Sequence, residues 1–442
     1  MNKYRTSPIS TNRMPPGIPY IISNEAAERF SFYGMKTILA IFMTNYLADE
    51  AGSPDLMNEG QATVWVHSFV TAVYFTPLIG SFLADAFWGK YKTIIGLSIV
   101  YCLGHLALAL DETRLGLTLG LSLIAIGAGG IKGCVSAHVG DQFGKGNGGL
   151  LEKVYGWFYL SINLGAFAST LLTPWLLEHY GPGVAFGVPG LLMLVATLAF
   201  WAGRNEFAHV PARGMEFIRE TFSALGLKTI GKLMVIYVMV AMFWALFDQT
   251  ASKWVFQAEQ MDRHFMGVEW LSSQIQAVNP ALILILIPLL SWFGYPAINR
   301  FFPLTPLRKI GMGFFIVVPS FLIPAWIEYR IGLGETPGIV WQLLAYLLLT
   351  LAEVMISVTC LEFSYTQAPR TMKSLVFGLF MASIALGNLF TSLVNVFILN
   401  EDGSSKLDGP DYYLFFAGAM FVTALIFVPV SMAYREKTYL HE

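Results

Sequence analysis

Four formal charges recur at helical spacing within "NEAAERFSFYGMK": Glu25, Glu28, Arg29 and Lys36. With about 100° of turn per residue, positions 25, 28, 29, 32 and 36 share one helix face, and Tyr33 lies beside them. A stripe of acid, acid, guanidinium, ring and amine can hold an anion or one pole of a zwitterion. It can also trade a proton, because burial favours a neutral carboxyl and a neighbouring cation favours the carboxylate. A plainer reading is an ion cluster that satisfies itself at a helix contact. Against it stand Lys132, Asp248 and Glu353, each embedded in a different apolar stretch, with Lys253 and Glu362 nearby. A charge at the bilayer centre costs at least about 2.5–3.5 kcal/mol, so embedded charges on several segments point to a shared polar cavity.

Other polar residues interrupt apolar runs. Asn163 in "FYLSINLGAF" and Asn279 in "IQAVNPALI" are amides able to bind an amine or a carboxylate, or to bond helix to helix. His67 in "VWVHSFVTAVY" can change charge near neutral pH or serve as a hydrogen-bonded structural residue. Taken alone, Tyr74 and Trp244 read as packing.

These residues need a membrane scaffold to position them. The 442-residue chain is 55% hydrophobic and 13% charged, with mean hydropathy +0.58. Soluble domains carry about 25% charge. The composition therefore predicts an all-α integral membrane protein. Twelve spans are expected near 18–47, 61–86, 91–110, 115–139, 153–178, 185–204, 230–257, 272–298, 308–328, 339–367, 374–399 and 412–434. The longest polar break divides the chain into a six-helix bundle over 1–204, a cytoplasmic linker over 205–229, and a second bundle with a short tail over 230–442. Within the linker, "GMEFIRETFSALG" reads as a short amphipathic helix on the membrane face.

Of the 27 Lys and Arg residues, nineteen fall at the span ends shared with the two termini. Four fall at the opposite ends: Arg114, Arg263, Arg330 and Lys406. This bias places both termini in the cytoplasm. The remaining cations, Arg29, Lys36, Lys132 and Lys253, are the embedded ones. The N-terminus has no h-region or cleavage site, so no removable signal peptide is expected. A net charge of −2 and the absence of basic tracts give no reason to expect nucleic acid as a partner. No metal-ligand spacing or cofactor motif is present, and Cys102, Cys134 and Cys360 suggest no disulfide framework. H-E-x-x-H and G-x-S-x-G are also missing, so an intramembrane enzyme is disfavoured. "GSFLADAFWGKYKT" (80–93), with Asp85, Gly89, Lys90 and Lys92, suits a cytoplasmic hinge between spans two and three. It fits the major facilitator architecture, two six-helix halves with a midplane site.

Several motifs in order resemble the proton-dependent oligopeptide transporters. "NEAAERFSFYGMK" is similar to that family's first-helix signature, E-x-x-E-R-F-x-Y-Y-G. "GAGGIKGCVSAHVGDQF" (127–143) and "YGWFYLSINLGAF" (155–167) resemble its fourth- and fifth-helix motifs. "MFWALFDQ" (242–249) and "SVTCLEFSYTQAP" (357–369) look closest to the animal-type members. The resemblance runs from about Ile18 to Tyr434.

The resemblance implies a symporter importing di- and tripeptides with protons by alternating access, without a cofactor. Arg29, Lys36 and Lys132 would face the peptide carboxylate. Glu353, with Asn163 and Asn279, would take the free amine, while Tyr33, Tyr74 and Trp244 would line side-chain pockets. Lys36 with Asp248, and Lys132 with Glu353, would be gate salt bridges. Glu25 and Glu28 would belong to the proton-coupling motif, and His67 aligns with a histidine of animal members. The expected setting is the plasma membrane (the inner membrane in a bacterium), with the lipid bilayer as partner and a monomer as the working unit. The alternative within the family is proton-coupled transport of nitrate or another anion. Four positions depart from the pattern: Phe32 replaces a tyrosine, Gly133 a proline, Phe380 a tryptophan and Lys253 an arginine. The loop after span nine is too short for the extracellular domain of mammalian members.

Overall fold

The computed structural model describes residues 4–144, 146–367, 373–400 and 404–434. Lys3, Lys145, Arg370, Arg435 and Lys437, which contribute to the charge bias, lie outside these residues, as do Ala368 and Pro369 of the last motif and the tail beyond Tyr434.

The chain is helical almost throughout. The first half runs α1 (Ile18–Asn45), α2 (Glu59–Leu83), α3 (Lys90–Leu110), α4 (Arg114–Gly140), α5 (Leu151–Tyr180) and α6 (Pro182–Ala202). The linker contributes α7 (Met215–Thr221), within the expected amphipathic stretch. Then follow α8 (Ala224–Phe247), α9 (Lys253–Glu259), α10 (Val278–Leu289), α11 (Tyr295–Asn299), α12 (Pro306–Gly332), α13 (Val340–Glu353), α14 (Thr359–Thr366), α15 (Lys373–Ile398) and α16 (Pro410–Ala433). Among the described residues, 11 helical segments are long and apolar enough to cross a membrane. The 28-residue α1 is long enough, but every 18-residue window of it holds at least three charged residues. A two-residue antiparallel ribbon, His264–Phe265 with Val268–Glu269, follows α9.

Two compact units emerge. Unit 1 comprises Met1–Leu56, Phe69–Gly231 and Thr371–Ala385. Unit 2 comprises Met57–Ser68, Lys232–Arg370 and Leu386–Glu442. A division drawn at the linker therefore assigns 57–68 and 371–385 to the other unit, because α2 and α15 each pass from one unit into the next.

In unit 1, α1 packs on α5 and α6, and α3 packs on α4 and α6. Small residues set the closeness, as expected where lipid supplies no hydrophobic drive between helices. A Cβ on Gly80 of α2 would sit 2.8 Å from Gly130 Cα on α4. This bare contact lets the "GAGGIKG" turn of α4 carry Lys132 deep into the unit. Gly133, the departure from proline, belongs to the same seam. A Cβ there would meet Ser81 Oγ at 2.4 Å and the Pro77 carbonyl oxygen at 2.9 Å. α4 runs as one regular helix through this point. At the end of α2 a π-helical turn over Ala84–Trp88 leads to Gly89, whose φ of +78° only glycine adopts easily. Lys90 then pairs with Asp141 at 2.8 Å and reaches Asp85 at 4.0 Å. The acid of the 80–93 hinge thus shares its lysine with the end of α4. Asp141, just past that helix, is pushed above the usual carboxylate range by burial, against the pull of Lys90.

Unit 2 is built on α12 against α13 and α16, with α10 on α13. Its helices are interrupted. The α8 segment breaks into a 3₁₀ turn over Asp248–Ala251 before α9 resumes. A 3₁₀ stretch over Ser272–Ala277 precedes α10, and a π-helical turn over Val354–Val358 follows α13. Irregular backbone at membrane depth is tolerated only where it is buried in protein or lines a cavity.

Candidate functional site

Unit 1 gathers three of the four embedded cations, Arg29, Lys36 and Lys132, and the α1 acids. Glu25 and Glu28 are fully buried on α1. Arg29 Nε lies 2.7 Å from Glu25 Oε1 and 3.4 Å from Glu28 Oε2. Lys132 Nζ, on α4, lies 2.9 Å from Glu28 Oε1. Glu28 is therefore shared between two cations from two helices. A buried ion pair is only weak evidence for stability, yet removing one partner is severe because the other charge is left bare.

Phe32 explains part of its own presence. The Lys132 ammonium sits 3.9 Å above the Phe32 ring centroid and 6.0 Å from that of Tyr74. The two rings meet edge to face at 6.2 Å, and Tyr33 joins Phe32 at 5.4 Å. Phenylalanine keeps the π-face that a tyrosine would also present to the amine, and lacks only the hydroxyl. Lys36 lies further along α1, with only 7% of its surface exposed. Asn163, on α5, donates to the backbone carbonyl of Tyr159 at 3.0 Å. Phe380 is buried in unit 1.

Unit 2 gathers the remaining acids. Asn279, at the start of α10, donates to Glu353 Oε2 at 2.6 Å and to Thr350 Oγ1 at 3.1 Å. Glu353 is the last residue of α13, where the π-helical turn begins. Asp248 opens the 3₁₀ break and accepts from Asn388 Nδ2 at 2.7 Å. His67, fully buried, places Nδ1 2.7 Å from Asn388 Oδ1 and Nε2 3.0 Å from Ser252 Oγ. Trp244, one turn before Asp248, packs between Phe243 at 4.8 Å and Phe247 at 5.4 Å. Lys253 rests over the Tyr412 ring at 4.9 Å.

Several expected partners thus sort by unit. Lys36 and Lys132 belong to unit 1; Asp248 and Glu353 belong to unit 2. Asn163 lies in unit 1, whereas Asn279 and Glu353, the residues it was grouped with, lie in unit 2.

The model of the POT family matches residues 91–227 and 224–407. This chain belongs to the POT family. Among curated members it is 36% identical to peptide transporter family 1 of Drosophila melanogaster over 374 residues, covering 73% of this chain and 49% of that protein. It is 33% identical to human solute carrier family 15 member 2 over 376 residues, covering 73% and 50%. The chain spans about half the length of the curated relatives it matches. Among solved structures, the in meso crystal structure of the POT family transporter PepTSo superposes with a TM-score of 0.87 at 34% identity, over 96% of this chain and 99% of that one. A second crystal structure, of a proton dependent oligopeptide (POT) family transporter, gives 0.78 at 36% identity, over 93% and 100%. The protein is a multi-pass membrane protein with the major facilitator fold of POT transporters.

Sequence reasoning missed several residues of this POT-family core. Asn388 stands in "IALGNLFTSLV", and the rule that picked out Asn163 and Asn279, an amide inside an apolar run, would have found it. Ser252 passed unnoticed because a serine in such a run is common. Asn24, Tyr101 and His105 are also fully buried in unit 1. Asn24 begins the very stripe that carries Glu28, and lies on its face.

Proposed function

We propose that this protein imports di- and tripeptides together with protons, by alternating access between two six-helix halves. The setting is a twelve-helix monomer in the plasma membrane (the inner membrane in a bacterium) with both termini cytoplasmic. The carrying observation is Glu28, a fully buried carboxylate shared by Lys132 and Arg29. A peptide carboxylate arriving at Arg29, Lys36 and Lys132 competes for those cations. A buried carboxylate whose cation is drawn away favours its protonated form, and gives the proton up when the cation returns. Substrate binding and protonation of Glu28, with Glu25 beside it, are thereby coupled.

At the other pole, Glu353 meets the peptide amine. Asn279 satisfies one of its oxygens without neutralising its charge, which suits an ammonium ligand better than a bare anion such as nitrate. Tyr33, Tyr74 and Trp244 supply apolar walls tolerant of different side chains. Lys36 with Asp248, and Lys132 with Glu353, form and break as the gates alternate; on this account Lys132 exchanges Glu28 for Glu353. His67 takes up the external proton. One charge crossing 100 mV supplies about 2.3 kcal/mol before any pH gradient.

The test compares gradient-driven accumulation with passive exchange in proteoliposomes. Glu28→Gln and His67→Ala are each expected to lose accumulation by at least tenfold more than exchange. Accumulation to the wild-type level in both variants overturns the coupling assignment.

A further inference from the structure

We infer that Asn388 is a positioning residue of the coupling step: its amide fixes which nitrogen of His67 receives the proton, and ties that choice to the charge on Asp248. The inference deepens the proposed function and rests on its reading of His67 as a proton acceptor.

Asn388 lies on α15 with no exposed surface. Its Nδ2 is 2.7 Å from Asp248 Oδ2, and its Oδ1 is 2.7 Å from His67 Nδ1. His67 Nε2 is 3.0 Å from Ser252 Oγ. All four residues belong to unit 2.

Chemistry decides which way the amide points. An ionised carboxylate only accepts, so the NH₂ end must face Asp248. The carbonyl end then faces the imidazole, and Nδ1 must carry a hydrogen. Neutral His67 is therefore the Nδ1–H tautomer, and its bare Nε2 accepts the Ser252 hydroxyl. An incoming proton adds at Nε2. The new Nε2–H donates to Ser252 Oγ, whose own hydrogen turns toward the Gln249 carbonyl at 3.5 Å. No bond to Asn388 breaks, so His67 charges without losing a partner. When Asp248 is itself protonated, it can donate to the amide oxygen. The amide is then released to turn over and present NH₂ to Nδ1, which must be bare to receive it. The amide thus links the state of Asp248 to the tautomer of His67.

Among the described contacts, the following groups lie on the elements around the ring. Its own helix carries Glu59 two turns earlier. The broken α8–α9 segment brings Asp248, Ser252 and Lys253, the last with its amine over Tyr412. From α15 come Asn388 and Ser392, the latter bonded to Ser68 at 2.8 Å. The amide bridges the Asp248 carboxylate and the imidazole.

Two readouts test the inference on the full chain. Nitrogen NMR of ¹⁵N-histidine protein, with His67 assigned by its loss in His67→Ala, is expected to show the Nδ1–H tautomer. Asn388→Leu is expected to abolish that preference. In proteoliposomes, the pH profile of labelled dialanine uptake is expected to keep its midpoint in Asn388→Asp, whose carboxyl shares one proton with Asp248 and so still donates to Asp248 and accepts from Nδ1. It is expected to move to lower pH in Asn388→Leu. Asn388→Asp is isosteric and guards against a folding defect in the leucine variant. An Nε2–H tautomer in the unaltered protein overturns the inference. So does a profile that keeps its midpoint in both variants and falls only in amplitude, the mark of a merely structural amide. A wild-type profile in His67→Ala removes His67 from coupling and the inference with it, while the NMR tautomer still reports whether the amide geometry is right.

Discussion

The two units hold their embedded charges in different ways. In unit 1 charge meets charge: Arg29 with Glu25, and Lys132 with Glu28. In unit 2 amides hold the acids: Asn388 on Asp248, Asn279 on Glu353, and Gln257 on Glu328 at 2.8 Å. An ion pair cancels a charge, whereas an amide donor fills a lone pair and leaves the charge to act on a cation. The backbone differs in parallel. The unit 1 residues sit in long regular helices, while Asp248, Asn279 and Glu353 all sit at or beside helix irregularities. Unit 1 thus holds buried acids and cations in direct pairs. Unit 2 has the form of a set of acids oriented by amide donors.

Breaking the balance in unit 1 has the largest expected effect. Lys132→Ala leaves Glu28 buried with a weaker partner, and removal of one member of a buried pair costs about 3–5 kcal/mol. The thermal midpoint in detergent is expected to fall clearly, and to recover in part when Glu28→Gln is added. No recovery in the double variant would mean that charge balance is not what Lys132 provides. In unit 2 the expected effect is on ligand rather than fold. Glu353→Gln removes a charge-assisted bond to the peptide amine, a loss of about 1.5–3 kcal/mol. Dialanine should weaken by tenfold or more in competition assays, and an N-acetylated analogue much less. Equal weakening of both would take Glu353 out of amine recognition. The smallest effect concerns Phe32. A cation–π contact contributes about 0.5–2 kcal/mol. Phe32→Leu should therefore lower the thermal midpoint more than Phe32→Tyr, which keeps the ring. The reverse order would show that the π-face under Lys132 is unimportant.

Much of this fold was legible because lipid imposes a simple rule. Long apolar runs become helices, and short polar breaks become turns, so the expected segments fall on helices of the described residues, 11 of them long and apolar enough to cross a membrane. α1 is set apart by its embedded charges. The unit boundary was less legible, since a linker marks where the chain crosses over and not how α2 and α15 divide their contacts. Within the site, helical spacing correctly put Glu25, Glu28 and Arg29 together. It did not reveal that Lys132 pairs with Glu28, because spacing on one helix says nothing about which neighbour lies opposite. The amide partners were hidden for a different reason. An asparagine in an apolar run is as consistent with helix packing as with a site, and only its neighbours tell the two apart. Asn163 bonds within its own helix, whereas Asn279 reaches a carboxylate on another helix.

The central claim is that a proton gradient drives a short zwitterionic peptide through this protein. The direct measurement is uptake of labelled dialanine into proteoliposomes under an inward proton gradient, with alanine, trialanine, tetra-alanine and nitrate as competitors. The account predicts accumulation that collapses with the gradient, competition by trialanine, and little by alanine, tetra-alanine or nitrate. Uptake indifferent to the gradient, or displaced by nitrate as effectively as by trialanine, would contradict it.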